Sequence, residues 1–70
     1  MNDNPRDPEK DLLGIDDVSK LLNTPVATLR YWRHLGKGPK SFKVGRRIRY
    51  WRQDVLDWLD SEIKGDPHAA

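Results

Sequence analysis

Apolar residues in this chain follow two periods, and the switch between them marks out the elements. Ile15, Val18, Leu21 and Leu22 recur at helical spacing, with Asp16 and Asp17 in the first turn, where the helix dipole favours acids. They predict a first helix ending near Asn23, a residue type that tolerates the left-handed conformation common at helix ends. Thr24 followed by Pro25 reads as a new start, a hydroxyl cap before a proline at the first helical position. Val26, Leu29, Trp32 and Leu35 continue at spacings of three, so a second helix is expected from Pro25 to Leu35. Leu29, Trp32 and Leu35 form its core side, and Gly36-Lys37-Gly38-Pro39 stops it.

The period then becomes two. Phe42 and Val44 alternate with Lys43, and Ile48 and Tyr50 alternate with Arg47 and Arg49, which predicts a β-hairpin with one apolar and one basic face. A two-residue turn at Gly45-Arg46 would set Val44 against Arg47 and mix the faces. A three-residue turn, Gly45-Arg46-Arg47, pairs Val44 with Ile48 and Phe42 with Tyr50, and this is the register expected. Val55, Trp58, Leu59 and Ile63 define a third helix from Arg52 to Ile63, with Asp54 in its first turn and Lys64 just past its end. Residues 1–11 are polar, carry Pro5 and Pro8 and show no periodicity. They are expected to be a disordered lead-in, and residues 65–70 a disordered tail. One folded domain over residues 12–64 remains, without internal repeats. Its element order (helix, turn, helix, hairpin, helix) predicts a mainly α fold with a small β-hairpin, a winged helix-turn-helix.

Charge sharpens this picture. Between Val18 and Gln53 lie ten basic residues and no acid, while the ends hold all eleven acids and the other three bases. The middle therefore carries about +10 and the ends about −8, although the net charge is only +2. Such segregation points to a polyanion, with nucleic acid first among candidates. A helix fits the major groove of B-DNA, and a basic hairpin tip reaches backbone or minor groove. With Leu29, Trp32 and Leu35 facing the core, Ala27, Thr28, Arg30, Tyr31, Arg33 and His34 occupy the sides and outer face of the second helix. Arg30 can fork onto guanine or clamp a phosphate, and Thr28 and Tyr31 can donate to phosphate. His34 reads first as a solvated residue near the helix end and only second as a contact. On the hairpin, Lys43, Arg46, Arg47 and Arg49 are more positive charge than protection of a sheet edge requires. Trp32, Phe42 and Trp58 fall at core positions, which argues against an open stacking platform for single strands.

Other chemistries find little support. There is no cysteine, and the two histidines, His34 and His68, are far apart, so neither a disulfide nor a zinc site is expected. No phosphate loop, activated nucleophile or paired carboxylates suggest catalysis, and the expectation is a non-enzymatic protein without cofactor or small-molecule ligand. No apolar run has the length of a signal peptide or membrane span, which predicts a soluble, cytoplasmic protein.

Thr28-Leu29-Arg30-Tyr31-Trp32, then Val44-Gly45-Arg46-Arg47-Ile48-Arg49-Tyr50, then Arg52-Gln53-Asp54-Val55-Leu56-Asp57-Trp58-Leu59 occur in that order. Together with the opening Leu12-Leu13-Gly14-Ile15-Asp16-Asp17-Val18, this resembles the MerR-like winged-helix superfamily. The likeness is to the small excisionase and AlpA-type domains of phages and mobile elements in particular. The resemblance spans Leu12 to Leu59. It implies major-groove contact through the Thr28 to Arg33 region and wing contact through Arg46, Arg47 and Arg49. It also implies the role of an excisionase, a recombination directionality factor that binds and bends attachment-site DNA and directs a phage integrase towards excision. One module this small buries only about 600–1,000 Å² on DNA, so cooperative head-to-tail binding to repeated sites is expected. Two other readings stay open: a short AlpA-type transcriptional regulator, and a protein-interaction module that docks through its basic face.

Overall fold

A strand that the periodicity does not announce ties the helices to the hairpin. The computed structural model describes residues 6–68. Its elements in chain order are α1 (Pro8–Asp11), β1 (Leu12–Gly14), α2 (Ile15–Leu22), α3 (Val26–His34), β2 (Phe42–Val44), β3 (Arg47–Trp51) and α4 (Arg52–Gly65). Helices α2, α3 and α4 are those expected from the helical period, and β2 and β3 form the expected hairpin. Strand β1 pairs antiparallel with β3, setting Leu12 against Trp51, Leu13 against Tyr50 and Gly14 against Arg49. The sheet order is β1-β3-β2, so β3 is central, and the fold is a winged helix-turn-helix. Three residues are too few for an alternating pattern to register, and Leu12-Leu13 reads as easily as the approach to a helix.

The core draws on every layer. Leu13 of β1, Val18 of α2, Leu29 of α3, Tyr50 of β3 and Val55 of α4 are buried together, with Ile15, Leu21, Leu22, Trp32 and Ile48 packed around them. Trp32 and Trp58 meet with ring centroids 5.5 Å apart, joining α3 to α4. Three expected core residues lie elsewhere, among them Phe42 of β2, which packs on Trp51 on the outer side of the sheet. Leu35 comes after the last residue of α3 and is 45% exposed, and Ile63, near the free end of α4, is 50% exposed.

The hairpin register differs from the expected one. Val44 pairs with Arg47, Lys43 with Ile48 and Phe42 with Arg49, so the turn is the two-residue Gly45-Arg46. Gly45 takes φ 64° and Arg46 keeps a negative φ, as in hairpin turns with glycine first. The faces are therefore mixed: Lys43 stands on the core side with Ile48 and Tyr50, whereas Phe42, Val44, Arg47, Arg49 and Trp51 share the outer side. The faces can mix because β2 is a short edge strand with no core to fill. Leu13 takes the place opposite Tyr50, Phe42 packs on Trp51 across the outer face at 6.0 Å, and Val44 is left 54% exposed.

Local signals at the helix ends hold in part. Asn23 is left-handed (φ 52°, ψ 46°), and Thr24 N–H donates to the Ser19 carbonyl at 2.9 Å, closing α2. Thr24 does not cap α3. Its hydroxyl donates back to the Leu22 carbonyl at 3.0 Å, and Pro25 supplies the first accepting carbonyl, so α3 starts one residue later than expected. Ser19 Oγ also donates to the Thr24 carbonyl at 2.6 Å, fixing the turn between the helices. Ser19→Ala should cost about 1 kcal/mol in a urea melt, the usual net worth of such a bond. Part of the expected disordered lead-in is structured: Pro8–Asp11 forms a helical turn because the Asp7 carboxylate accepts from Glu9 N–H at 3.0 Å and proline opens the helix. Arg6 fixes this segment to α4, ion-paired with Asp54 at 3.1 Å and lying over the Trp51 ring at 5.2 Å. Residues 1–5 and 69–70, the outer parts of the expected disordered ends, lie outside the described residues. Within the expected tail, Gly65 closes α4, and His68 N–H donates to Asp66 at 2.8 Å.

Candidate nucleic-acid interface

Helix α3 turns Leu29 into the core, and this orientation decides what its other side presents. Ala27, Arg30, Tyr31 and His34 are exposed and recur at three- and four-residue steps, making one outward stripe in which Tyr31 is 60% exposed. Thr28 and Arg33 flank it, half-buried. Arg33 has a fixed internal partner, since its Nε donates to Ser41 Oγ at 2.9 Å and holds the segment that leads into β2. Of the six residues expected on this surface, the four of the stripe are fully presented and the other two are partly withdrawn.

On the wing, Arg46 sits in the turn, and Arg46, Arg47 and Lys43 are exposed. Arg47 and Arg49 point to the outer side of the sheet, away from Lys43. Arg49 is half-buried because it lies opposite Gly14. A Cβ at residue 14 would stand 3.3 Å from Arg49 Nη1, so glycine here leaves the guanidinium room to lie close against the edge strand. Its Nη1 also donates to the Ile48 carbonyl at 3.1 Å, which holds the guanidinium in place.

Helix and wing converge. Arg30 from α3 and Arg46, Arg47 and Arg49 from the wing line a single cleft of about 190 Å³ beside Gly14 and Asp16 at the start of α2. The ion pairs among the described residues are Arg6–Asp54 and Lys64–Asp60, so none of these four arginines is neutralised by a carboxylate. Behind them, burial pushes the Tyr50 phenol above its ordinary pKa, opposed by the positive charges of Arg33 and then Arg30. Periodicity gave no hint that Gly14 and Asp16 would join this group, because their placement depends on the pairing of β1 with β3. Among the described residues, no group of three or more His, Cys, Asp or Glu is placed to hold a metal ion, and no helix is long and apolar enough to cross a membrane.

An exposed helix stripe set beside a basic hairpin, on three helices with a small sheet, defines the winged helix-turn-helix class of DNA-binding domains. The chain belongs to the helix-turn-helix domain family, whose pattern matches residues 12–62, from β1 to near the end of α4. No curated relative and no solved structure matches it. Family and fold together make this a small helix-turn-helix domain whose partner is double-stranded DNA.

Proposed function

We propose that the protein is a non-enzymatic, sequence-specific architectural DNA-binding protein of the MerR-like excisionase type, acting in the cytoplasm. It binds attachment-site DNA cooperatively through contacts between successive copies, bends it, and directs an integrase towards excision. Helix α3 enters the major groove with Ala27, Thr28, Arg30, Tyr31 and His34, while Arg33 chiefly positions the wing. Lys43, Arg46, Arg47 and Arg49 take backbone or minor groove. The observation that carries this reading is the convergence of Arg30 with the wing arginines on one net-positive cleft, which lets helix and wing engage adjacent stretches of the same duplex. The minimal size of the domain supports repeated, cooperative sites over a single tight one.

Selection of bound duplexes with purified protein, followed by footprinting and a circular-permutation bending assay, tests it. Regularly spaced protections with a bend are expected. A single isolated footprint on straight DNA would overturn the architectural role. In the same assay Arg30→Ala should cost about 1–3 kcal/mol on the selected sequence and relax preference at one base position if Arg30 reads a base edge. A uniform loss across all sequences would place Arg30 on phosphate instead.

A further inference from the structure

Like charges held together raise one another's free energy, so four guanidiniums around one cleft gain most when an anion enters. One carboxylate lines that cleft, Asp16, and it forms no ion pair with Arg30, Arg46, Arg47 or Arg49. Its neighbour Asp17 is already engaged, accepting from Gly14 N–H at 2.9 Å. No carboxylate thus takes up the arginine donors, while a fixed negative charge stands among them. Arg49 is the anchored member, close against Gly14 and tied to the Ile48 carbonyl, so it loses little side-chain freedom on binding. Arg47 shares β3 with Arg49, while Arg46 approaches from the turn and Arg30 from α3. Planar guanidinium forks converging from several directions match a tetrahedral oxyanion with several acceptor oxygens. A cleft of 190 Å³ holds on the order of six water volumes, room for a phosphate group.

We propose that this cleft seats one phosphate of the DNA backbone between wing and α3, and that Asp16 is a built-in brake on its affinity. The proposal rests on the DNA-binding reading above. Four arginines and one carboxylate leave the lining at a net charge of +3. The carboxylate lowers the attraction for any phosphate without taking up the donors that recognise it. Contact with random backbone is thereby weakened, and base contacts by α3 gain weight in choosing the site.

The test uses the full chain and inorganic phosphate as probe, with the arginine Nε–H signals followed by NMR. Signals of Arg30, Arg46, Arg47 and Arg49 should move along one shared saturation curve, and Arg49→Gln should abolish it. Asp16 is exposed, so Asp16→Asn spares the core; it should tighten the curve about two- to fivefold, as expected for one charge several ångströms away at a solvated site. Independent movement of the four signals, or an unchanged curve in Asp16→Asn, overturns the proposal. With a selected duplex, Asp16→Asn should tighten binding by a similar factor at low salt. Arg49→Gln should reduce the slope of log affinity against log salt by about 0.9. A parent protein that binds no duplex overturns the DNA reading and with it the backbone as source of the phosphate. A parent that binds duplex but shows no shared phosphate curve overturns the seat alone.

Discussion

Tyr50→Ala should cost the domain about 3–5 kcal/mol of stability at 25 °C, measured by urea denaturation followed by circular dichroism. Tyr50 is the largest of the fully buried side chains. It stands on the central strand, opposite Leu13 of β1, and packs in one cluster with Val18, Leu29 and Val55 of the three main helices. Alanine there would open a cavity bordered by every layer, with no single neighbour able to fill it. A domain of this length has only about 4–10 kcal/mol of total stability, so such a loss takes about a third or more of what holds it folded. A loss below 1 kcal/mol would mean that the sheet is not the centre of the core. Tyr50→Phe keeps the ring and separates packing from ionisation. Burial raises the phenol pKa in the folded state above its ordinary value of 10.0, so the folded chain holds this proton more tightly than the unfolded chain. The resulting stability is fully present below about pH 10 and is lost as pH rises through the folded-state value. The parent should therefore lose stability above pH 10 more steeply than Tyr50→Phe, and parallel pH curves for the two would refute the assignment.

What could be read from the chain beforehand divides along physical lines. Helices α2, α3 and α4 were legible because each spans at least two turns, enough for a 3.6-residue period to repeat. Asn23 was legible because a left-handed helix end admits few residue types. Strand β1 was not legible, since three residues carry no period, and it decides most of the remaining differences. Once Leu13 stands opposite Tyr50, the core face of β3 has a partner, and β2 is free to take the shorter turn that Gly45 allows. That register separates Lys43 from Arg47 and Arg49, residues whose alternation alone set them on one face. The same pairing brings Gly14 and Asp16 to the arginines, joining two clusters that looked separate in the chain into one cleft. Charge composition could announce a polyanion. Only long-range pairing could show that helix and wing approach it together.

The Arg46→Ala/Arg47→Ala double variant should bind duplex DNA about eightfold more weakly at 0.1 M salt, and by a similar factor on selected and random sequences. Each phosphate neutralised contributes about 0.9 to the slope of log affinity against log salt, so losing the one phosphate seated by these arginines flattens it by about 0.9 and closes most of the gap near 1 M. Folding should be unaffected, because both side chains are exposed at or beside the turn and neither forms an ion pair with a carboxylate. Fluorescence anisotropy on a labelled duplex across a salt series, with an unfolding curve as control, measures all three quantities. The double variant should lose affinity and keep its base preference, because its arginines meet backbone that every sequence shares. A double variant that kept parental affinity and salt slope would remove the wing from the interface. The duplex would then have to be held by the α3 stripe alone, where Arg30 is the one arginine in the exposed row. A single neutralised phosphate predicts a slope near −0.9 for the whole domain, so the parental slope already distinguishes the two arrangements.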